Sequence, residues 1–308
     1  MVTFAQNILL KLYMRKYFSA YSPSMGELWL IMLALICVGG SMVSAGALVI
    51  LSFIGDFDTG MLSMALYPLL FSVAIPFVLL RAKHSYLEKS RRGISLPKDD
   101  PPSFGSIHGV LFFGLLLLLT PTFILVTEPL SMWMKMPDFL KNLFGEVLNH
   151  GWISFLALVI MAPLLEEWFC RGIALKGLLK NGYTPASAIA WSAFMFGIMH
   201  MNPWQAIPAF LMGLLFGWIY WRTRSLWSVI FMHAVTNGLS VALTWAFPHL
   251  PEDASTLDVA GPRLYFWILT GALIITVLII GTLHKKLAPS APLFRKPLPP
   301  NGPSLLFN

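Results

Sequence analysis

Long apolar runs are the feature of this sequence that most limits its fold. The chain has 308 residues, of which 57% are hydrophobic and only 11% are charged, whereas soluble domains carry about 25% charged residues. A membrane-spanning helix takes about 20 mainly apolar residues. Eight segments reach or approach that length: Leu28 to Ile54, Gly60 to Leu80, Gly109 to Val126, Trp152 to Phe169, Pro185 to His200, Trp204 to Trp221, Ser225 to Phe247, and Leu264 to Leu283.

These runs predict an all-α fold: a polytopic integral membrane helical bundle with about eight transmembrane helices, located in the cell membrane as a multi-pass protein. The fifth and sixth segments are short, so neighbouring helices are expected to bury them in part. The runs follow one another too closely to leave room for a soluble domain, and residues 1–308 are therefore interpreted as a single membrane domain.

Basic residues give the expected orientation, because Lys and Arg collect in cytoplasmic loops. If the N-terminus is cytoplasmic, 18 of the 21 basic residues fall on that side, and only Lys135, Lys141 and Arg263 fall on the other. Eight spans then leave both termini cytoplasmic. Attraction to anionic lipid explains the net charge of +7, so the lipid bilayer is an expected partner and nucleic acid is not.

Three segments outside the spans have compositions of their own. Residues Asn7 to Phe18 and Leu130 to Leu148 mix apolar and polar positions at roughly helical spacing, which predicts helices lying along the membrane surface. The segment 287–308 is rich in proline and is predicted to be a disordered tail.

Two carboxylates lie at the end of an apolar run. Of the fourteen acidic residues, only Glu166 and Glu167 stand there, and a carboxylate costs about 2.5 to 3.5 kcal/mol at the bilayer centre. Glu167 and Arg171 are four residues apart and can pair on one helix face, whereas Glu166 points about 100° away. The pair of acids either fixes the helix end at the interface, or includes a general base in Glu166.

Two histidines also fall in predicted spans, His200 at the end of the fifth and His233 inside the seventh. His233 shares a helix face with Asn237, as Phe196 does with His200, because each pair is four residues apart. A single intramembrane histidine is commonly a hydrogen bond between helices. The combination with Glu166 instead favours one polar cavity that opens toward the cytoplasm, with His200 deepest.

Such a set can hydrolyse a peptide bond. Glu166 would take a proton from water, a histidine would orient that water or serve the leaving amine, and Asn237 would donate to the developing oxyanion. This mechanism requires no cofactor. Zinc is the alternative, with Glu166, His200 and His233 as ligands. Cys170 has no histidine beside it in the sequence, which disfavours a thiol protease.

Three motifs resemble those of one family. E-E-W-F-C-R-G at 166–172, F-G-I-M-H at 196–200 and H-A-V-T-N at 233–237 are similar to the E-E-x-x-x-R, F-x-x-x-H and H-x-x-x-N motifs of the CAAX-protease and bacteriocin-processing (CPBP) family. They occur in the family order. The resemblance covers about 152–247, the expected catalytic core, and does not extend to the flanking spans.

The resemblance implies a glutamate-type intramembrane endopeptidase, similar to the type II CAAX prenyl endopeptidases that remove the last three residues of prenylated proteins. A metalloprotease stays an alternative. The implied substrate is a membrane-associated protein or peptide. Matched residue by residue, the catalytic set is Glu166, His200, His233 and Asn237, and the supporting ion pair is Glu167 with Arg171.

A second hypothesis needs no catalysis. A membrane transporter, or an immunity protein that sequesters peptides or bacteriocins, could use the same polar cluster for binding or proton coupling. The two hypotheses differ in what Glu166→Gln does. The substitution abolishes the function of a protease, whereas a binding protein retains it.

Overall fold

The structure is a computed structural model that describes residues 16–54, 59–94, 101–148, 151–251 and 254–287. These residues contain no β-strand. The main helices are α1 Met25–Phe53, α2 Gly60–Arg91, α3 Gly109–Leu130, α4 Asp138–Leu148, α5 Trp152–Lys180, α6 Pro185–Ile198, α7 Pro203–Thr223, α8 Leu226–Ala246 and α9 Thr256–Lys286.

The predicted all-α membrane bundle is confirmed. Seven helices in the described part of the chain are long and apolar enough to cross a membrane. The fifth predicted span is α6, whose 14 residues extend about 21 Å at 1.5 Å per residue, less than the roughly 30 Å of a bilayer core. The sixth predicted span is not short, because α7 has 21 residues. The cytoplasmic location of the termini stays a prediction.

Other predicted boundaries shift for local reasons. The last span starts at Thr256 rather than Leu264, since Ser255 and Asp258 form a capping box ahead of a kink at Gly261, whose φ is 72°. The predicted surface helix Leu130 to Leu148 is shorter than predicted and covers only Asp138–Leu148. Most of the amphipathic segment Asn7 to Phe18, and nearly all of the tail 287–308, lie outside the described residues.

Three spans contain turns that are not α-helical. In α5, the turn Ala162–Glu167 lies between two π-helical stretches, Phe155–Met161 and Trp168–Leu175. In α2, a 3₁₀ turn Tyr67–Phe71 with proline in its first positions separates two α-helical parts. A π-helical stretch also occurs in α1, at Ala34–Gly39. Such turns are frequent at functional sites, because they re-aim side chains within an otherwise regular helix.

Close packing of α5, α6, α7 and α8 forms the interior. Helices α6 and α7 approach so closely that a Cβ on Gly197 would lie 2.8 Å from the carbonyl oxygen of Ala206. Helix α3 covers this group and packs on α7, α8 and α9, while α2 contacts α5 through its 3₁₀ turn. The acidic turn of α5 therefore lies inside the bundle, with neighbours from both halves of the chain.

Candidate active site

Glu166 is a buried carboxylate, 9% exposed, on the α-helical turn between the two π-helical stretches of α5. Its Oε1 accepts a hydrogen bond from the hydroxyl of Tyr67 in α2, with 2.5 Å between the oxygens. Its Oε2 is buried and makes no hydrogen bond to any residue that the structure describes. One oxygen of Glu166 is therefore bound and the other keeps its capacity to accept a proton.

Glu167 forms a fully buried ion pair with Arg171, as the four-residue spacing predicts. Arg171 Nη1 lies 2.9 Å from Glu167 Oε1, and Nη2 donates to the carbonyl oxygen of Gly213 in α7 at 2.9 Å. The same Oε1 lies 3.0 Å from His233 Nδ1 in α8. Glu167 thus contacts a predicted catalytic histidine directly, a role that the spacing argument did not include.

Phe196 packs between the two histidines. Its ring centroid lies 5.3 Å from that of His200 and 5.3 Å from that of His233, in both cases edge-on. The guanidinium of Arg171 lies 4.6 Å from the Phe196 centroid and 5.5 Å from that of Phe216. Cation–π contacts of this kind stabilise a desolvated cation. The aromatic residue of the F-G-I-M-H motif therefore has a structural role between the two histidines.

The histidine contacts indicate the tautomers. His200 Nδ1 lies 2.9 Å from the carbonyl oxygen of Phe196, and a carbonyl oxygen only accepts, so this nitrogen carries the proton. His233 Nδ1 faces the Glu167 carboxylate, which also accepts. In the neutral form of each ring, Nε2 is then the nitrogen with a lone pair.

Asn237 lies one turn after His233 and is partly buried. Its Nδ2 donates to the carbonyl oxygen of Leu158 at 2.8 Å, within the first π-helical stretch of α5. This contact uses one of the two N–H groups of the amide. Among the described residues, the second N–H makes no hydrogen bond.

The structure therefore joins the predicted residues in two groups. Glu167, His233 and His200 are connected through direct contacts and through Phe196, and Asn237 follows His233 on α8. Among the described residues, no hydrogen bond links Glu166 to His200, His233 or Asn237; its one such partner is Tyr67. Helix α5 connects the groups, because Glu166 and Glu167 are adjacent.

The described residues include no group of three His, Cys, Asp or Glu side chains placed to hold a metal ion. The alternative zinc ligands Glu166, His200 and His233 accordingly do not form a ligand set in this geometry.

Two contributors were not identified from the sequence: Tyr67 and the contact between Glu167 and His233. A signal for Tyr67 was present, since it is the only tyrosine in the second apolar run and precedes a proline. Proline within a span frees backbone groups and marks irregular structure. Nothing in the sequence indicated that Glu167 would also face α8.

A family model described as "Rce1-like: Type II CAAX prenyl endopeptidase Rce1-like" matches residues 148–239. This segment contains all three motifs and every residue of the site except Tyr67. Over these residues, the chain is similar to the CAAX-protease family. No curated protein and no solved structure matches the chain. The resemblance suggested by the motifs is confirmed, and the CAAX-protease segment extends from just before α5 to the middle of α8.

Family and fold together support a multi-pass membrane protein of the CAAX-protease type that acts on protein or peptide substrates. They do not favour the transporter or immunity-protein alternative. Helices α1 to α3, α4 and α9 lie outside the matched segment, although α2 contributes Tyr67 to the site.

Proposed function

We propose that the chain is an intramembrane endopeptidase in which Glu166 activates water for attack on a peptide bond of a membrane-associated substrate. The observation that carries this proposal is the buried Glu166 carboxylate: Tyr67 binds one oxygen, the other has no partner among the described residues, and no cation there pairs with it as Arg171 pairs with Glu167. A buried carboxylate of this kind is a suitable general base. Its position in the matched segment supports the assignment.

In the proposed reaction, side chains of the protein accept and return the transferred proton. Glu166 Oε2 takes a proton from water, and the hydroxide forms a bond to the carbonyl carbon of the substrate. The carbonyl oxygen becomes an oxyanion, which accepts a hydrogen bond from the second N–H of Asn237. When the C–N bond breaks, the leaving nitrogen takes the proton that Glu166 received, directly or through Nε2 of a histidine. No cofactor takes part in these steps.

In this scheme, a different hydrogen-bond acceptor orients each of the two histidines. Glu167 accepts from His233 Nδ1, which fixes the ring and leaves Nε2 as the reactive nitrogen. The Phe196 carbonyl does the same for His200. Arg171 forms an ion pair with Glu167 and so holds in place the carboxylate that orients the histidine. Glu167 and Arg171 are therefore positioning residues.

The proposal is tested with purified protein in liposomes and a library of membrane-associated peptides. Glu166→Gln keeps the size of the side chain and removes the base, and we expect turnover to fall by about 100-fold or more, the usual contribution of general base catalysis. Glu88→Gln is the matched control, since Glu88 pairs with Arg92 at an exposed position and should cleave as the wild type does. Undiminished cleavage by Glu166→Gln would falsify the mechanism.

Two further measurements use the same preparations. Zinc that survives washing with a chelator and is needed for turnover would replace this mechanism with a metal-bound water. Mapping of protein termini in membranes that contain the wild-type or the Glu166→Gln protein identifies the substrate class. Restoration of the biological function by Glu166→Gln, with no turnover by either protein, would favour the binding hypothesis.

A further inference from the structure

We propose that Tyr67 is a positioning residue for the general base, so that α2, which lies outside the CAAX-protease segment, completes the active site. The inference deepens the proposed function and rests on the role of Glu166 in it. Tyr67 and Glu166 are 99 residues apart in the chain. No motif of the matched segment includes Tyr67, because that segment begins at residue 148.

The contact has the geometry of a strong hydrogen bond. The separation of 2.5 Å between Tyr67 Oη and Glu166 Oε1 lies at the short end of the range for a hydroxyl that donates to a carboxylate. Glu166 is buried, and a hydrogen bond to a charged group is stronger away from water. Tyr67 is the one residue in the described part of the chain that hydrogen-bonds this carboxylate.

The hydrogen bond determines which oxygen of Glu166 reacts. The terminal torsion of a glutamate side chain is broad and roughly two-fold, so a carboxylate without a partner exposes either oxygen in many orientations. With Oε1 bound by Tyr67, the plane of the carboxylate is fixed and Oε2 becomes the proton acceptor. A base held in one orientation contributes more to the rate than a mobile one, because the transition state needs a single geometry.

The 3₁₀ turn of α2 positions the Tyr67 hydroxyl next to Glu166. Tyr67 begins the 3₁₀ turn Tyr67–Phe71, and this turn contacts both the π-helical stretch Phe155–Met161 and the acidic turn of α5. Helix α1 packs tightly against this turn: a Cβ on Gly39 would overlap the carbonyl oxygen of Leu70. The turn is therefore confined between α1 and α5.

The phenol ring and its hydroxyl make separable contributions. The ring lies 6.3 Å from that of the buried Phe71 on the same turn, and a phenylalanine at position 67 would keep this apolar contact. Only the hydroxyl reaches Glu166. Substitution by phenylalanine thus removes the proposed positioning contact and little else.

Tyr67→Phe in the full-length protein in liposomes is the test, with the substrate peptide found in the assay above. We expect kcat of the folded variant to fall about 10-fold while KM stays within error, since a hydrogen bond that orients the base acts on the chemical step. The unfolding temperature should also fall, because a buried carboxylate oxygen loses its hydrogen-bond donor. Tyr86→Phe is the matched control. It lies on the same span, its ring packs edge-on against Tyr17 at 5.2 Å, and phenylalanine keeps that contact.

The results separate this inference from the proposed function. If Glu166→Gln loses turnover while Tyr67→Phe has the wild-type kcat, the positioning role is wrong and the general base stands. If the loss of kcat in Tyr67→Phe disappears at a temperature where the variant is fully folded, Tyr67 has only a packing role, and the inference is overturned. A fall in kcat of the fully folded variant, absent in Tyr86→Phe, supports it. Turnover by Glu166→Gln at the wild-type rate would overturn the proposed function itself, and the inference about Tyr67 with it.

Discussion

The two adjacent carboxylates of α5 are bound by different regions of the molecule. Glu167 accepts from Arg171, four residues later on α5, and from His233 on α8, and both donors lie within the segment that matches the family model. Glu166 accepts from Tyr67 on α2, outside that segment. Glu167 therefore belongs to a self-contained core, whereas Glu166 depends on how the N-terminal helices pack against that core.

The two carboxylates also differ in how their charge is compensated. Glu167 is compensated by a cation, which is itself bound by Gly213 and by the rings of Phe196 and Phe216. Glu166 accepts from one neutral donor and has no ion pair among the described residues, whereas Oε2 is without a hydrogen-bond partner there in both carboxylates. A compensated buried charge is structural, while an undercompensated one is reactive.

Arg171→Met should give the largest loss of stability. The substitution leaves Glu167 as a buried charge without its cation, which costs about 3 to 5 kcal/mol of unfolding free energy. Arg92→Met is the control: Arg92 and Glu88 are also an arginine–glutamate pair four residues apart, but both are exposed, and such pairs contribute about 0.5 kcal/mol or less. Chemical unfolding in detergent measures both. Equal losses in the two variants would show that the Glu167 environment is not a compensated core.

The Glu167–Arg171 pair was predictable because both partners are on one helix. Spacing of four residues places two side chains on the same face, whatever surrounds the helix. The three motifs were visible for the same reason, since each occupies five to seven consecutive residues. The apolar runs also predicted the spans, and most of the described helices begin and end within several residues of the predicted limits.

Other features depend on contacts between helices that are distant in sequence. The pairing of Tyr67 with Glu166 needs the packing of α2 on α5, and the contact of Glu167 with His233 needs the rotation of α8. Neither is encoded by local spacing. The π-helical stretches beside Glu166 were also missed, because an apolar run has the same composition in an α- or π-helical conformation. The length of α7 was underestimated, since Asn202 caps a helix whose first turn contains proline and whose end is polar.

Two consecutive glycines in α1 test whether the N-terminal helices set the geometry at Glu166. A methyl group on Gly39 would overlap the carbonyl oxygen of Leu70, whereas one on Gly40 would meet nothing within 4 Å. Gly39→Ala should cost about 1 to 3 kcal/mol of unfolding free energy, the usual cost of overpacking, and should lower kcat severalfold by displacing the turn that carries Tyr67.

Gly40→Ala is the matched control for that substitution. It should leave kcat unchanged and leave stability equal or slightly higher, because alanine favours helix over glycine by up to about 1 kcal/mol. Unfolding and peptide turnover in liposomes measure both variants. If Gly39→Ala lowered stability but kept the wild-type kcat, the position of the Tyr67 turn would not matter to catalysis.

The smallest effect is expected at Cys170, which lies four residues after Glu166 as Arg171 does after Glu167. Cys170 is fully buried, and its sulfur lies 3.7 Å from that of Met199. Cys170→Ala removes a small apolar group, so we expect a loss of about 1 kcal/mol and turnover within about twofold of the wild type. Cys37→Ala, at an exposed cysteine, should change neither quantity. Loss of turnover in folded Cys170→Ala would instead assign the chemistry to a thiol, because the water-activating carboxylate has no need of one.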